Sequence, residues 1–364
     1  MDDKFEEFFK KVQKNKDFMT YAGDDLSMGS VVPYGVSSGI PELDLYLGRK
    51  GGLPAGKVIE YYGFSMVGKT TAALQAAAEW QKRGGLVIFI DNEQSYSPER
   101  FRQLGGVPEN LLKHEVNTIE QTFDVIYYYL GTIEGKASKK AQRGLLDDFD
   151  KPVLIIVDSV TGVPTQADTE GNLEKSERPG FEAKQIKRGV KGMNPLLSQT
   201  KCRPSIIFIN HCHETFNSWG KKSKSSGGNG LKYYSSVRVE FTHLGMLTNK
   251  STEQRLGQKI KIYIEKLKGA ALEYDKFNTE LTNDIGFDRY EGLKLAMIAT
   301  NFATRPSGSQ VVTILPDTDL EVQVKQTEFR RWVEENEGYD TVYKNWRLWA
   351  IREGYLSPWG GADS

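Results

Sequence analysis

Residues 58–71 have the sequence Val-Ile-Glu-Tyr-Tyr-Gly-Phe-Ser-Met-Val-Gly-Lys-Thr-Thr, and this stretch decides the fold of the chain. A β-prone run at 58–62 leads into a Gly-x-x-x-x-Gly-Lys-Thr loop at 63–70, and an alanine-rich helical segment follows. A phosphate-binding P-loop requires this strand–loop–helix context. The alternative is an ordinary glycine turn before a helix, but the complete pattern with both flanks predicts a nucleoside triphosphate site.

Each part of the loop has a chemical role in such a site. The backbone N–H groups surround the phosphates, and the following helix adds its positive amino-terminal end. The Lys69 ammonium is expected to reach the β and γ phosphates, and the Thr70 hydroxyl is expected to ligate Mg²⁺. The nucleotide-binding residues predicted from the loop are Gly63, Phe64, Ser65, Met66, Val67, Gly68, Lys69, Thr70 and Thr71.

The composition narrows the class of protein. Lysine plus arginine equals aspartate plus glutamate at 48 each in 364 residues, so a nucleic-acid site must be a local patch. Cys202 and Cys212 do not make a metal-ligand or disulfide framework. No apolar run approaches the roughly 18–20 residues of a membrane span, and the first residues do not resemble a signal peptide. A reducing cytoplasmic location is therefore expected.

Strand-like and helix-like segments alternate after the P-loop, which predicts an α/β domain with a mainly parallel twisted sheet flanked by helices. The predicted strands are 86–91, 153–158, 205–210, 237–241 and 259–265. The predicted helices are 118–130 and roughly 181–197.

The two ends of the chain differ from this core. About the first 16 residues are expected to form a helix with Phe5, Phe8, Phe9 and Val12 on one face. From about residue 285 the pattern indicates short helices rich in aromatic residues. We therefore divide the chain into an amino-terminal helix and linker (1–30), a core (31–284) and a small carboxyl-terminal subdomain (285–364).

Two apolar runs end in carboxylates that a nucleotide site needs. The run at 151–159 ends in Asp158, as a Walker B strand does, and Asp158 is expected to hold Mg²⁺. A turn residue or a helix cap is the alternative role for Asp158. The run at 86–93 ends in Glu93, which either activates the attacking water or is simply solvated.

The order of these motifs resembles the RecA family of recombinases. Gly-Leu-Pro-Ala-Gly-Lys-Val-Ile-Glu-Tyr-Tyr-Gly at 52–63 is followed by Gly-Lys-Thr-Thr, Ile-Asp-Asn-Glu at 90–93 and Val-Asp-Ser at 157–159. A Gly-Gly-Asn-Gly-Leu-Lys-Tyr-Tyr-Ser-Ser-Val-Arg block at 227–238 extends the match, which covers roughly 31–300. The Ile-Asn-His-Cys-His-Glu-Thr segment at 209–215 is similar to phage UvsX-type recombinases, where a histidine stands in place of the bacterial RecA glutamine. A phage origin would place the chain in the host cytoplasm.

The resemblance implies ATP and Mg²⁺ as ligands and assigns roles to single residues. Glu93 becomes the catalytic carboxylate, and His211 becomes the γ-phosphate sensor, with a hydrogen-bonded strand-end histidine as the alternative. Arg100 stands where bacterial RecA places a tyrosine over the adenine. A planar guanidinium can stack on a base, so adenine binding is retained, but the preference for ATP is left open.

Two polar stretches are candidate DNA-binding loops. The stretch 213–229 combines cations with aromatics among serines and glycines, which suits single-stranded DNA, although such loops are often only solvated. The stretch 165–188 ends in a basic helix whose face is either a DNA contact or simply exposed. The predicted DNA-binding residues are Phe216, Trp219, Lys221, Lys222, Lys224, Gly227, Gly228, Asn229, Lys184 and Arg188.

The resemblance also implies assembly into a helical filament. The amino-terminal helix would dock on the neighbouring subunit, or fold back on its own domain, and ATP would lie between protomers. Lys266 and Lys268 resemble paired lysines that reach the neighbour's γ-phosphate as catalytic cations, although Lys-x-Lys is also common on exposed strands.

The resulting hypothesis is an ATP-dependent recombination protein that forms filaments on single-stranded DNA and exchanges strands with homologous duplex. DNA would stimulate ATP hydrolysis, and a single-strand-binding protein and a recombinase loader are expected partners. The alternatives are a mediator that binds DNA without strand exchange and a ring-forming helicase motor. A small-molecule kinase fits least, since no other motif suggests an acceptor pocket.

Overall fold

The computed structural model describes residues 32–47, 51–132, 143–169, 180–214, 223–249, 252–268, 275–307, 309–314, 322–336 and 338–356. The predicted amino-terminal helix lies outside the described residues. Among the residues described, no helix is both long and apolar enough to cross a membrane.

The elements alternate along the chain as the sequence predicts. The strands are β1 Gly35–Val36, β2 Leu53–Pro54, β3 Val58–Gly63, β4 Leu86–Asp91, β5 Leu111–Glu115, β6 Val153–Asp158, β7 Ser205–Glu214, β8 Ser223–Ser225, β9 Val237–Thr248, β10 Arg255–Leu267, β11 Lys276–Thr282, β12 Gly286–Phe287, β13 Ala303–Thr304, β14 Val311–Ile314 and β15 Val322–Lys325. The helices are α1 Pro41–Tyr46, α2 Lys69–Lys82, α3 Pro98–Gln103, α4 Ile119–Leu130, α5 Gln166–Thr169, α6 Phe181–Lys191, α7 Met193–Gln199, α8 Gly230–Tyr234, α9 Arg289–Ala299, α10 Phe329–Glu335 and α11 Tyr339–Arg352.

A ten-stranded sheet organises the core, in the order β12-β11-β10-β9-β3-β7-β6-β4-β5, with β8 paired to β7. The pairs between β9, β3, β7, β6, β4 and β5 are parallel. The strands β10, β11 and β12 add an antiparallel side. The predicted mainly parallel α/β core is therefore confirmed.

The central strands are apolar throughout because both faces of the sheet are covered. In β6, Leu154 and Ile156 belong to the cluster on one face, together with the buried alanines of α2. Val153, Ile155 and Val157 belong to the cluster on the other face, under α4, α6 and α7. This alternation follows from the two-residue period of a strand, and it leaves the strand ends as the place for polar chemistry.

Some predicted boundaries are wrong. The predicted helix 181–197 is two helices, because the chain breaks at Gly192 between α6 and α7. The strands predicted at 205–210, 237–241 and 259–265 are longer, since β7, β9 and β10 continue beyond the predicted runs. The extensions of β9 and β10 mix polar residues with the exposed Leu244, Met246 and Leu256, so they contain no continuous apolar run and the sequence pattern missed them.

The carboxyl-terminal part is not made of helices alone, which corrects the sequence prediction. The three-stranded sheet β13-β14-β15 lies among the helices, with strands of two to four residues that are too short to show periodicity. A third apolar cluster is formed by these helices and strands, and Trp346 is fully buried in it. Trp346 donates a hydrogen bond from Nε1 to Thr300 Oγ1 at 3.0 Å. The domain boundary at residue 285 stays a prediction.

Two buried carboxyl groups of α1 lie near the carboxyl-terminal helices. Asp44 accepts hydrogen bonds from Ser37 Oγ at 2.5 Å and from Tyr343 Oη at 3.1 Å. Glu42 is 3% exposed and lies against Gly292 of α9, where an added Cβ would meet Glu42 Oε2. Burial raises the pKa of Glu42 to about 8, and the nearby Glu291 carboxylate adds to the rise.

The raised pKa of Glu42 predicts a pH-dependent stability. From about pH 4.5 to about pH 8 the unfolded chain releases this proton while the folded chain keeps it. The free energy of unfolding therefore falls as the pH rises through this window, by about 1.4 kcal/mol per pKa unit of difference. Glu42→Gln cannot ionise, so its thermal midpoint should rise relative to the parent protein as the pH increases. Glu253→Gln, on an exposed turn, is the control. If the difference in thermal midpoint between Glu42→Gln and the parent protein is the same at about pH 4.5 and about pH 8, the raised pKa of Glu42 is contradicted.

Candidate nucleotide site and DNA interface

The predicted P-loop joins β3 to α2 in the geometry that binds phosphates. A Cβ on Gly63 would lie 2.3 Å from the Phe241 carbonyl oxygen of β9, so only glycine fits there. Gly68 caps α2 with φ of 87°, in the left-handed region that favours glycine. The amino-terminal end of α2 therefore faces a pocket of about 510 Å³.

Lys69 lies at the start of α2 and lines this pocket. Its Nζ donates hydrogen bonds to the carbonyl oxygens of Gly63 at 3.1 Å and Phe64 at 2.7 Å. The residue is 5% exposed, and burial lowers the pKa of its ammonium. The pocket is also lined by Ser65, Met66, Gly68, Thr70 and Thr71 of the loop. The lysine is thus held beside the loop amides, where phosphate oxygens would bind.

Thr70 and Asp158 supply oxygen ligands of the kind that Mg²⁺ prefers. The Thr70 hydroxyl donates a hydrogen bond to Asp158 Oδ2 at 2.7 Å, and Ser95 Oγ donates to the same oxygen at 3.3 Å. Burial raises the pKa of Asp158 to about 6. Within the described ranges no cluster of three or more metal-ligating side chains occurs. The residues therefore fit a Mg²⁺ held by one hydroxyl, one carboxylate and the phosphates.

The parallel register brings Glu93 and His211 to the same edge of the sheet as the P-loop. Gly63 is paired with His211, and Asp91 is paired with Asp158. Glu93 follows β4, and its backbone N–H donates a hydrogen bond to the Asp158 carbonyl at 3.1 Å. Glu93 and His211, which belong to different parts of the sequence, therefore line the same pocket as the P-loop.

The Glu93 carboxylate is held by two side chains. His211 Nε2 lies 2.8 Å from Glu93 Oε1, and Ser159 Oγ donates a hydrogen bond to the same oxygen at 2.5 Å. The contact with His211 is the main cause that lowers the pKa of Glu93, and Ser159 adds to it. Ionised Glu93 can only accept, so His211 Nε2 carries the proton. The pair is thus an ionised carboxylate that follows β4 and is held by a side chain of β7, two strands away in the sheet.

Sequence reasoning missed Ser159 and Gly162 as parts of this site. A Cβ on Gly162 would lie 2.8 Å from Ser159 Oγ and 3.0 Å from Glu93 Cγ. The Val-Asp-Ser motif contains Ser159, but nothing in the sequence shows that the segment after β6 folds back over Glu93. Gly162 therefore leaves the space that the Glu93 side chain uses.

The outer wall of the pocket is formed by the predicted residue Arg100 and by residues of the antiparallel strands, which sequence reasoning missed. Arg100 lines the pocket, and its guanidinium donates hydrogen bonds to the carbonyl oxygens of Asn283 at 2.8 Å and Asp284 at 3.1 Å. Gln258 donates from Nε2 to the Met66 carbonyl at 3.1 Å. Leu281, Thr282 and Asn283 complete this wall. Arg100 thus lines the predicted nucleotide pocket, and its role at the base stays a prediction.

Lys266 and Lys268 do not lie at the pocket of their own chain. Leu267, between them, pairs with Val237, which pairs with Ile59 near the start of β3, whereas the P-loop follows the other end at Gly63. The offset along β3 is roughly 13 Å at about 3.3 Å per residue. Lys266 Nζ donates to the carbonyl oxygens of Lys232 and Tyr233 at 2.6 and 3.2 Å, and burial lowers its pKa to about 8. Lys268 is exposed.

The structure brings the two predicted DNA stretches together. Residues 227–230 lie against α6, because an added Cβ would meet Ala183 Cβ from Gly228 at 2.7 Å and Lys187 Cα from Gly230 at 2.9 Å. Gly227 and Gly228 have φ of 70° and 72°, so glycine suits both the turn and the close approach. Lys184 and Arg188, on the exposed side of α6, therefore lie beside the end of the second stretch.

The rest of the second stretch is only partly described. Phe216, Trp219, Lys221 and Lys222 lie outside the described residues. The backbone of Lys224 belongs to β8, which pairs with the end of β7 at Cys212–Glu214, and Asn229 is exposed at the start of α8. The DNA-binding roles of all these residues stay predictions.

Comparison with known proteins agrees with this geometry. A sequence model described as the RecA N-terminal domain matches residues 26–287. The chain is 33% identical over 236 residues to Protein RecA of Agrobacterium fabrum, covering 65% of this chain and 59% of the relative. Protein RecA of Sinorhizobium fredii is 34% identical with the same coverage, and that of Methylobacterium radiotolerans is 31% identical over 256 residues, 69% of this chain and 64% of the relative. The chain thus spans about three fifths of the length of the curated relatives that it matches.

The packing of Gly162 predicts a selective defect. Gly162→Ala should displace the Glu93 carboxylate, since the new methyl group would overlap Glu93 and Ser159. Misplacement of a catalytic group by about 1 Å costs up to about 100-fold in rate, whereas the P-loop side of the pocket is untouched. We expect nucleotide hydrolysis to fall at least 10-fold while binding of a fluorescent nucleotide stays within a factor of about two. Gly245→Ala, where an added Cβ meets nothing within 4 Å, is the matched control. Equal hydrolysis in both variants would refute the placement of Glu93.

Proposed function

This chain belongs to the RecA family, and from that membership we propose that it is an ATP-dependent DNA strand-exchange protein. The observation that carries the proposal is the pairing of Glu93 with His211 in the P-loop pocket, where the strand that bears His211 continues toward the basic stretch 213–229. One strand thereby contacts the nucleotide site at one point and enters a candidate DNA loop a few residues later.

In the proposed reaction the P-loop amides and Lys69 bind the triphosphate of ATP. Thr70 and Asp158 would hold Mg²⁺, which would neutralise charge on the phosphate oxygens. Arg100, fixed by the Asn283 and Asp284 carbonyls, would present its planar guanidinium to the base. Preference for adenine over other bases rests on this one residue.

Glu93 is proposed to position and deprotonate the attacking water. Its lowered pKa keeps it ionised at neutral pH, and its second oxygen, Oε2, is free of the contacts that hold Oε1. His211 is proposed to sense the γ-phosphate, because its protonated Nε2 can donate either to Glu93 or to a phosphate oxygen. ATP would thus compete with Glu93 for His211 and shift the strand that leads to the DNA loop.

DNA is proposed to bind across α6 and the stretch 213–229. Lys184 and Arg188 are exposed beside the glycines that pack on α6, so these cations lie next to the end of the stretch 213–229. Contacts of this kind address phosphates and splayed bases without reading sequence, so base pairing would provide the homology search. Both single-stranded and double-stranded DNA are proposed ligands.

Assembly into a helical filament would place a neighbour over the nucleotide pocket. The position of Lys266 and Lys268, at the opposite end of the sheet from their own P-loop, supports a role toward the pocket of another protomer. A cation supplied in trans is worth about 10³–10⁵ in rate where phosphoryl transfer uses one. A single-strand-binding protein and a loader are further proposed partners, and the kinship to UvsX-type recombinases stays a proposal.

Strand exchange between circular single-stranded DNA and a homologous linear duplex tests the function directly. The unsubstituted protein should release the displaced strand in the presence of ATP and Mg²⁺, with no product from a heterologous duplex. Lys69→Ala is the control for dependence on ATP, because the phosphates lose their main side-chain cation. Binding of both DNA forms without a displaced strand would instead identify a mediator, and unwinding without homology would identify a helicase motor.

A mixing experiment tests the lysines proposed to act in trans. Lys266→Ala/Lys268→Ala protomers keep their P-loops, and Lys69→Ala protomers keep both lysines, so each alone should be nearly inactive. Mixed filaments should regain part of the ATPase activity at interfaces that join an intact P-loop to intact lysines. The chain that carries all three substitutions is the control, since it should restore activity to neither variant. No recovery despite demonstrated co-assembly would exclude the role in trans.

A further inference from the structure

A row of buried polar side chains crosses the middle of the sheet on four adjacent strands. Asn210 of β7 donates from Nδ2 to Glu60 Oε1 of β3 at 2.9 Å, and Arg238 of β9 donates from Nε to Glu60 Oε2 at 2.5 Å. The Arg238 guanidinium also pairs with Glu265 of β10 and lies 4.4 Å from the Tyr62 ring centre. Asn210 and Glu60 are fully buried, and Arg238 is 2% exposed.

This row is costly to bury and is not explained by stability. Burying charged groups requires that every charge be paired, and replacing a buried ion pair by apolar residues is often neutral or stabilising. Glu60 lies in a strand that is otherwise apolar or aromatic, Val58–Gly63, so an apolar residue would suit the packing. A role in linking strands accounts for the arrangement better than a role in the core.

One end of the row touches the nucleotide sensor. Asn210 directly precedes His211, whose Nε2 contacts the Glu93 carboxylate. Asn210 Nδ2 also donates to the Ser226 carbonyl at 3.1 Å, and the Ser226 N–H donates to the His211 carbonyl at 2.8 Å. The sensor and the end of the stretch 213–229 are therefore fixed by the same group of hydrogen bonds.

The other contacts of Arg238 reach the stretch 213–229 and the strand that carries Lys266. Arg238 NH2 donates to Ser225 Oγ at 3.2 Å, in the strand β8 that lies within the stretch 213–229. Glu265 is adjacent to Lys266, the lysine proposed to act in trans. Movement of β8 on binding of DNA would therefore act on Arg238, and through Glu60 and Asn210 on His211.

We propose that Arg238 is a positioning residue that couples DNA binding to nucleotide binding, with Ser225 as its contact to the DNA loop. The inference rests on the proposed function and deepens it, because it names the side chains that transmit the effect. Arginine suits this position, since its guanidinium can donate to Glu60, Glu265 and Ser225 at the same time. Coupling of this kind is reciprocal: nucleotide strengthens DNA binding by the factor by which DNA strengthens nucleotide binding.

The coupling can be measured by binding alone. The dissociation constant of labelled oligo(dT) is determined by fluorescence anisotropy with and without a non-hydrolysable ATP analogue, and the ratio of the two constants is the coupling factor. Ser225→Ala removes the contact to Arg238 and leaves the buried ion pairs intact. Its coupling factor should fall about 2- to 10-fold, the range expected for one hydrogen bond.

Ser226→Ala is the matched control, because the buried Ser226 hydroxyl has no hydrogen-bond partner in the described part of the chain. Its coupling factor should exceed that of Ser225→Ala. Arg238→Lys cannot bridge three partners, so its coupling factor should fall further than that of Ser225→Ala. Circular dichroism of this variant confirms that it is folded. A coupling factor in Ser225→Ala equal to that of Ser226→Ala would overturn the inference. A parent protein that binds oligo(dT) equally with and without the analogue would overturn both this inference and the proposed function.

Discussion

The structure depends on one constraint, the parallel pairing of β3, β7, β6 and β4 in a fixed register. Parallel strands end at the same edge of the sheet, so residues that follow different strands meet there although they are far apart in sequence. Gly63, Asp158 and His211 lie on three such strands, and Glu93 follows the fourth. A one-residue slip in any pair would turn the buried side chains to the wrong face, so the apolar cores on both faces hold the register of the site.

The same sheet separates two functions in space. Its carboxyl edge carries the P-loop, Asp158, Glu93 and His211, whereas Lys266 and Lys268 lie near the opposite end of β3. Under the proposed function the lysine pair would therefore act on the pocket of another protomer. The buried row from Asn210 to Glu265 crosses the central strands between these two regions.

Much of the core follows from the sequence alone because the signals are local. The P-loop spacing and the apolar runs of β4 and β6 predict their elements to within a residue. Asp158 is the last residue of β6, and Glu93 lies two residues after β4. The contacts around Glu93 could not be predicted, because Ser159 and Gly162 depend on how the chain turns back after β6. Glu60 is itself a signal in the sequence, because a charged residue inside a buried strand needs a partner on a neighbouring strand. The partner, Arg238, lies 178 residues away and is identified only by the sheet order.

The central claim is that binding of DNA controls chemistry at a nucleotide site completed by assembly. The most direct measurement is the steady-state ATPase rate of the purified protein with and without saturating single-stranded DNA, with electron microscopy of the same samples. The account predicts a rate that is low without DNA and rises strongly with it, together with helical filaments along the strand. A rate that DNA does not change, or closed rings in place of filaments, would contradict it.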